Sequence, residues 1–63
     1  MYNTILSVQK ENVLTLTLNR PDVYNACNEE MLTELTDAFT KAGEDQNIRC
    51  VILTGAGKAF CSG

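Results

Sequence analysis

The stretch of sequence that decides the fold is residues 50–57, which read Cys50-Val51-Ile52-Leu53-Thr54-Gly55-Ala56-Gly57. The first five residues are apolar or branched and show no alternation of polar with apolar side chains. A short run of this kind is typical of a strand buried on both faces, as in a parallel sheet covered by helices. The glycines then predict a loop at the carboxyl end of that strand, where open α/β sheets usually bind ligands.

The segment before this strand predicts an amphipathic helix. Asn28 is a suitable N-cap, and Glu29 and Glu30 fall in the first turn, where the helix dipole favours negative charge. The helix is expected to end at about Gly43 or Asp45, before a polar connector.

The apolar residues of this helix recur at spacings of three and four, which predicts one face packed on a sheet. We expect Cys27, just before the cap, to pack on Leu32. On the other side of the helix, Asp37 and Lys41 are spaced for an i,i+4 ion pair. The predicted core face consists of Met31, Leu32, Leu35, Ala38, Phe39 and Ala42.

The amino-terminal part predicts an antiparallel hairpin. A short apolar run at Thr4–Val8 is followed by strict alternation at Val13–Leu18, with leucines on one face and Val and Thr on the other. Residues 9–12 form a polar loop, in which Asn12 is expected to adopt the left-handed conformation. Pro21 ends the second strand because it lacks the N–H that a ladder needs.

A loop from Arg20 to Cys27 then leads to the helix. The predicted order is therefore β-β-α-β, an α/β arrangement in a chain of 63 residues that can hold at most one small domain. A chain this short buries only about 60% of its unfolded surface, so burial against another element or chain is expected.

Composition excludes several classes of function. The net charge is −3 and the five basic residues are scattered singly, which argues against nucleic-acid binding. The longest apolar run, Cys50–Leu53, is far too short to cross a membrane, and the amino terminus shows no targeting pattern. We therefore expect a cytoplasmic protein with neither a membrane nor a nucleic-acid partner.

The three cysteines do not suggest a metal or catalytic site. Cys27, Cys50 and Cys61 form no Cys-x-x-Cys pair, and the chain has no histidine to complete a metal site or to activate Cys61. They are expected to be reduced and mostly buried.

The glycine-rich end fits neither of two common phosphate-binding motifs. In a P-loop alignment, Ile52 occupies the position of the first glycine and Ala59 that of the hydroxyl residue. In a dinucleotide fingerprint, Phe60 occupies the third glycine. Two interpretations stay open: Gly55 and Gly57 form a turn, which spacing alone favours, or they let a ligand approach the main chain.

Three motifs, taken together, resemble the amino-terminal part of the crotonase family, the enoyl-CoA hydratase and isomerase superfamily. The resemblance covers nearly the whole chain and implies a spiral of repeated β-β-α units, of which residues 1–63 would be an incomplete, amino-terminal segment. The motifs are Leu16-Thr17-Leu18-Asn19-Arg20-Pro21, Asn25-Ala26 and Val51-Ile52-Leu53-Thr54-Gly55-Ala56-Gly57-Lys58-Ala59-Phe60-Cys61-Ser62-Gly63.

The resemblance also implies an acyl-CoA thioester as substrate, no separate cofactor, and a homotrimer or hexamer. In that family two backbone N–H groups hold the thioester oxygen as it becomes an enolate, and each such donor is worth about 3–4 kcal/mol. Carried over by position, Val23 and Ala26 would contact the adenosine end of CoA. Ser62 and Gly63 would lie along the pantetheine and the thioester.

The chain departs from the family pattern in the loop after the proline. Asp22 stands where the resemblance places a basic residue in many members, so charge assistance to the CoA phosphates is not expected from that position. Tyr24 and Cys27 stand where relatives often have leucine, and they are expected to keep the loop packed.

No catalytic residue is assigned from the sequence. The resemblance places the first oxyanion donor on the residue after Gly63 and the family's carboxylates further on. Glu29 and Glu30 are interpreted as partners of the helix dipole rather than as an acid and a base. We therefore expect the 63-residue chain alone to be inactive.

Two other classes of function stay open. One is a small non-enzymatic module that binds CoA or a nucleotide in its glycine loop. The other is a structural piece that completes another chain.

Overall fold

The structure, a computed structural model, describes residues 2–61. Strand β1 (Ile5–Lys10) and strand β2 (Val13–Leu18) are followed by a short 3-10 helix, helix α1 (Glu29–Glu44) and strand β3 (Cys50–Gly55). The predicted β-β-α-β order is thus confirmed. Strand β1 begins one residue later and ends two residues later than the sequence predicts, and the loop after β2 contains the 3-10 turn Pro21–Val23.

The three strands form one sheet in the order β1-β2-β3. Strand β2 pairs antiparallel with β1, while β3 returns parallel to β2 after the helical crossover. The last residues of these two parallel strands, Leu18 and Gly55, are register partners. The loops that follow β2 and β3 therefore leave the sheet side by side.

The hairpin turn is tighter than predicted. Because Lys10 pairs with Val13, only Glu11 and Asn12 form the turn. Glu11, with φ 56°, adopts the left-handed conformation, so its assignment to Asn12 was wrong. The carbonyl of Asn12 instead accepts the N–H of Arg49 at 2.8 Å, which ties the turn to the segment entering β3.

The core lies between α1 and one face of the sheet. The alternation in β2 is confirmed, because its leucines point into this core while its valine and threonines face the other side. The buried cluster consists of Ile5, Leu14, Leu16, Leu18, Met31, Ala38 and Ala42.

Two residues predicted for the helix core are largely exposed, Leu32 at 54% and Phe39 at 44%. At 100° per residue, Leu32 lies about 100° and Phe39 about 80° around the helix from the fully buried Met31. A three-stranded sheet covers only a narrow strip of a helix, and these two side chains fall at its edge. Leu35, closer to Met31 around the helix, does pack against the core.

The prediction that β3 is buried on both faces was wrong. Cys50 is exposed, and Ile52 and Leu53 keep 47% and 39% of their surfaces accessible. The reason is position, because β3 forms one edge of the sheet and the helix residues of the core pack on the leucines of β2 and on Ile5. Among residues 2–61, no element covers the opposite face of the sheet.

The helix begins and is braced as its sequence predicts. The Asn28 side chain accepts the N–H of Met31 at 2.8 Å, which confirms the cap, and Lys41 pairs with Asp37 at 3.1 Å. No helix in the described part of the chain is long and apolar enough to cross a membrane.

Glu34 attaches the segment before β1 to the helix. Its carboxylate accepts the N–H groups of Asn3 and Thr4, both at 2.8 Å, and the Thr4 hydroxyl at 2.7 Å. Desolvation alone would raise the pKa of Glu34, but these hydrogen bonds outweigh it and hold the pKa below its ordinary value.

Candidate functional site

The candidate site is built from two adjacent loops. The first loop, residues 19–28, follows β2, and the glycine loop, residues 55–61, begins at the last residue of β3. The N–H of Ala56 donates to the carbonyl of Leu18 at 2.8 Å, so the glycine loop starts in contact with the end of β2. This is the edge of a parallel pair at which ligands are usually bound.

Asn25 is the residue that joins the two loops. Its side chain is fully buried. The side-chain oxygen accepts the N–H of Arg20 at 2.7 Å, and the side-chain nitrogen donates to the carbonyls of Ala56 at 2.9 Å and Ala59 at 2.8 Å. One amide therefore fixes the geometry of both loops.

This role of Asn25 could not be predicted from its partners in sequence. In the sequence, Asn25 stands out only as part of the Asn25-Ala26 motif. The available local signal was its residue type, since Asn tolerates the left-handed conformation that Asn25 adopts, with φ 58°. The acceptors lie 31 and 34 residues further along the chain.

The backbone of the first loop is held by its own hydrogen bonds. The N–H of Asn25 donates to the carbonyl of Arg20 at 2.8 Å, and the N–H of Ala26 donates to that of Val23 at 3.1 Å. The Arg20 guanidinium donates in turn to the carbonyl of Ala26. Tyr24, like Asn25, has a positive φ, of 52°. The loop is thus an ordered structure before any ligand binds.

The two glycines are required by packing within the chain. A Cβ added to Gly55 would lie 2.5 Å from the carbonyl oxygen of Phe60. Gly57 has φ +82°, and its Cβ would lie 2.8 Å from that of Pro21 in the first loop. The glycine loop is therefore a tight turn pressed against the first loop, and a ligand is not needed to explain either glycine.

Two of the four predicted CoA-binding residues lie in the described part of the site. Val23 ends the 3-10 turn and is 38% exposed, while Ala26 is half-buried three residues later. Ser62 and Gly63 lie outside the described residues. The structure thus brings Val23 and Ala26 together on one loop.

The expectation that Tyr24 and Cys27 keep this loop packed was wrong for Tyr24, which is 56% exposed. Cys27 is exposed as well, but its Sγ contacts the buried Met31. The reason is that hydrogen bonds to the backbone, above all those of Asn25, hold the loop in place of an apolar anchor.

Three sulfur atoms meet where the loops join the helix. The Cys27 Sγ lies 3.8 Å from the Sδ of Met31 and 3.9 Å from the Sγ of Cys61. Cys27 therefore contacts Met31, the first buried residue of the helix. The expectation of mostly buried thiols was wrong for Cys27 and Cys50, which are exposed. Although Cys27 is exposed as a whole, partial desolvation of its thiol, followed by the hydrogen bond with Cys61, raises the pKa of that thiol.

Neither metal ligands nor catalytic carboxylates collect at the loops. Among residues 2–61 there is no group of three His, Cys, Asp or Glu side chains that could hold a metal ion. Glu29 and Glu30 are exposed in the first helical turn, and Glu30 accepts a hydrogen bond from the Asn3 side chain at 2.9 Å. A surface groove of about 460 Å³ lies elsewhere, along α1, and is lined by Leu32, Thr33, Thr36, Asp37 and Thr40.

Comparison with known proteins gives consistent matches over this whole region. The family model described as enoyl-CoA hydratase/isomerase matches residues 8–63. The 1,2-epoxyphenylacetyl-CoA isomerase of Escherichia coli strain K12 is 46% identical over 63 residues, which are 100% of this chain and 24% of that protein. The chain thus spans about a quarter of the length of this curated relative.

Solved structures show the same arrangement of elements. An enoyl-CoA hydratase/isomerase from Mycobacterium paratuberculosis superposes with a TM-score of 0.96 at 42% identity, over 98% of this chain and 24% of that one. Another, from Xanthobacter autotrophicus Py2, superposes with a TM-score of 0.95 at 43% identity, over 100% and 23%. The predicted crotonase-like β-β-α-β arrangement is thereby confirmed.

Proposed function

Since this chain belongs to the enoyl-CoA hydratase/isomerase family, we propose that it supplies part of the binding surface for a CoA thioester in an acyl-CoA hydratase or isomerase. The chain spans about a quarter of its curated relative, so the activity proposed belongs to the longer assembly of elements. Within it, the first loop and the glycine loop are the contribution of this chain.

The observation that carries this proposal is the amide of Asn25. It is buried and bonded to both loops, so the main chain around it is fixed before a ligand arrives. A ligand held by backbone groups gains affinity when those groups are already ordered, because little conformational entropy is then lost on binding. Two loops joined in this way form a rigid floor for an extended molecule such as CoA.

The charges around the loops suit an anionic ligand only in part. Asp22 is exposed at the start of the first loop, and Arg20 is engaged with the carbonyl of Ala26. Lys58 is exposed in the glycine loop. We therefore assign to Lys58 the electrostatic contact with the CoA phosphates that Asp22 cannot make.

The proposed chemistry is stabilisation of an enolate by backbone N–H groups. Preorganised donors act where negative charge develops and need no separate cofactor. The family resemblance places the first donor after Gly63, so the 63-residue chain is proposed to be inactive alone. The proposal extends to a cytoplasmic enzyme that assembles as a homotrimer or hexamer.

Calorimetric titration of the 63-residue chain with CoA, beside an absorbance assay with an enoyl-CoA, tests the assignment. Binding of CoA without turnover is expected. If the chain is folded but does not bind CoA at a concentration of about 1 mM, the assignment of the loops is contradicted. Turnover by this chain would contradict the placement of the oxyanion donors.

A pair of charge variants locates the binding. Lys58→Ala is expected to weaken CoA binding by a factor of roughly 2–5, with less effect at high salt, because an exposed charge acts through solvent. Lys10→Ala is the control, since Lys10 pairs with Val13 at the opposite end of the sheet. Equal effects of the two variants would show that CoA does not bind at the glycine loop.

Assays of the polypeptide encoded by the complete gene distinguish an enzyme from a non-enzymatic binding module. Enoyl-CoA turnover by that polypeptide, with CoA binding but no turnover by residues 1–63, is the expected result. Binding without turnover by both would favour the non-enzymatic module.

A further inference from the structure

The contact between Cys27 and Cys61 has no part in the proposed binding of CoA. Cys27 lies at the end of the first loop and Cys61 at the end of the described glycine loop, 34 residues apart in sequence. Their Sγ atoms are 3.9 Å apart and both thiols are free. Two reduced thiols are thus held in contact across the junction of the two loops.

Their positions follow from the fold. Asn25, two residues before Cys27, bonds to the carbonyls of Ala56 and Ala59, and Ala59 is two residues before Cys61. The same amide that orders the loops therefore sets the distance between the thiols. Met31 supports Cys27 from the helix, at 3.8 Å between the sulfur atoms.

The third cysteine is far from this pair. Cys50 is the first residue of β3 and pairs with Val13, whereas the loops leave the sheet beyond Gly55. At about 3.3 Å per residue, Cys50 lies roughly 17 Å from Gly55. Of the three possible pairings, the fold brings only the Cys27–Cys61 pair into contact.

We propose that Cys27 and Cys61 are a redox-active pair that forms an intramolecular disulfide when the protein meets hydrogen peroxide. One thiolate attacks the peroxide, which gives a sulfenic acid and hydroxide; the second thiol then attacks the sulfenic sulfur and releases water. In balance, two thiols and one hydrogen peroxide give one disulfide and two waters. A thiol reductant reverses the reaction by exchange.

The movement required is small. A disulfide needs its sulfur atoms about 2.05 Å apart, so the two Sγ atoms must approach by roughly 1.9 Å. Cys27 is exposed and Cys61 is only partly buried, which leaves the side chains room to rotate and gives peroxide access. The bond would connect the two loops covalently.

The bond itself does not depend on the proposed function, but its consequence does. If the loops form the CoA surface, the disulfide fixes the spacing that the ligand meets, and CoA affinity will differ between the oxidised and reduced forms. Failure of CoA to bind either form counts against the proposed function alone. Failure of the disulfide to form counts against this inference alone.

Peptide mapping after peroxide treatment is the decisive experiment, because trypsin places each cysteine on a different peptide. Cleavage after Lys10, Lys41, Arg49 and Lys58, with the Arg20–Pro21 bond resistant, separates residues 11–41, 50–58 and 59–63. The expected product is 11–41 linked to 59–63. A linkage that involves 50–58, or sulfinic acids without any linkage, would overturn the proposal.

Matched variants and a denatured sample make the test specific. Cys50→Ser is expected to form the disulfide as the unmodified chain does, whereas Cys27→Ser and Cys61→Ser should form none within the chain. Oxidation in concentrated urea should give a mixture of pairings, because the loops no longer hold the thiols together. The same mixture in the absence of urea would refute a role for the fold.

Discussion

Replacing Asn25 by Asp tests the amide that joins the two loops. The carboxylate keeps the oxygen that accepts the N–H of Arg20, but it removes the NH₂ group that donates to the carbonyls of Ala56 and Ala59. A fully buried carbonyl left without a donor costs about 1–3 kcal/mol. These two are only partly buried, so each is expected to cost about 1 kcal/mol, and the free energy of unfolding should fall by about 2 kcal/mol at neutral pH.

This loss is a substantial fraction of the stability of so short a chain. At 0.05–0.15 kcal/mol per residue, a chain of 63 residues is stable by about 3–9 kcal/mol. Urea unfolding followed by circular dichroism measures the change. Asn12→Asp, in the exposed hairpin turn, adds the same charge and serves as the control. A difference between the two variants below about 0.5 kcal/mol would refute the reasoning.

The pH dependence of the Asn25→Asp variant gives a second, independent check. In this variant the carbonyl oxygens of Ala56 and Ala59 lie next to the introduced carboxylate and repel its negative charge. The pKa of the introduced carboxyl group in the folded state is therefore raised above the unfolded value of about 3.9. A raised pKa means that the loss of stability grows as the pH rises through the folded pKa and shrinks below it. A loss that does not change between neutral and acidic pH would contradict the assigned contacts.

Three further results are expected. The pKa of Glu34 is lowered in the folded chain. Its contribution to stability is therefore present above about pH 4.5 and is lost as the pH falls through the folded pKa. In the Glu34→Gln variant, the melting temperature should change less between about pH 5 and pH 3 than it does in the unmodified chain. Gly55→Ala forces a Cβ against the Phe60 carbonyl and should destabilise by about 1–3 kcal/mol, whereas Gly43→Ala, with open space around it, should stabilise by about 0.5–1 kcal/mol in urea titrations. The disulfide-linked chain should be more stable than the reduced chain by about 3–4 kcal/mol, and equal urea midpoints would contradict this.

Exposure of β3 shows where a pattern in sequence is ambiguous. The uninterrupted apolar run correctly predicted a strand in a parallel pair. It could not predict that the strand lies at the edge of the sheet, with Ile52 and Leu53 accessible. An apolar composition shows that a strand can be buried. Whether it is buried depends on which other elements pack against it.

The sequence by itself determined the elements whose cause is local. Alternation in Val13–Leu18, the spacing of apolar residues in the helix and the Asn28 cap each depend on residues within a few positions of one another. Family membership could likewise be inferred from short motifs in order. These features needed no knowledge of which distant segments meet.

Only the tertiary structure decided which groups meet at the candidate site. The amide of Asn25 finds its acceptors 31 and 34 residues away, and the Cys27 thiol finds that of Cys61 at a separation of 34. Such contacts depend on the parallel return of β3 beside β2, which sets two loops side by side. Residue type alone cannot specify these contacts, because an amide or a thiol can form hydrogen bonds with many different partners. The fold decides which of those partners lies within reach.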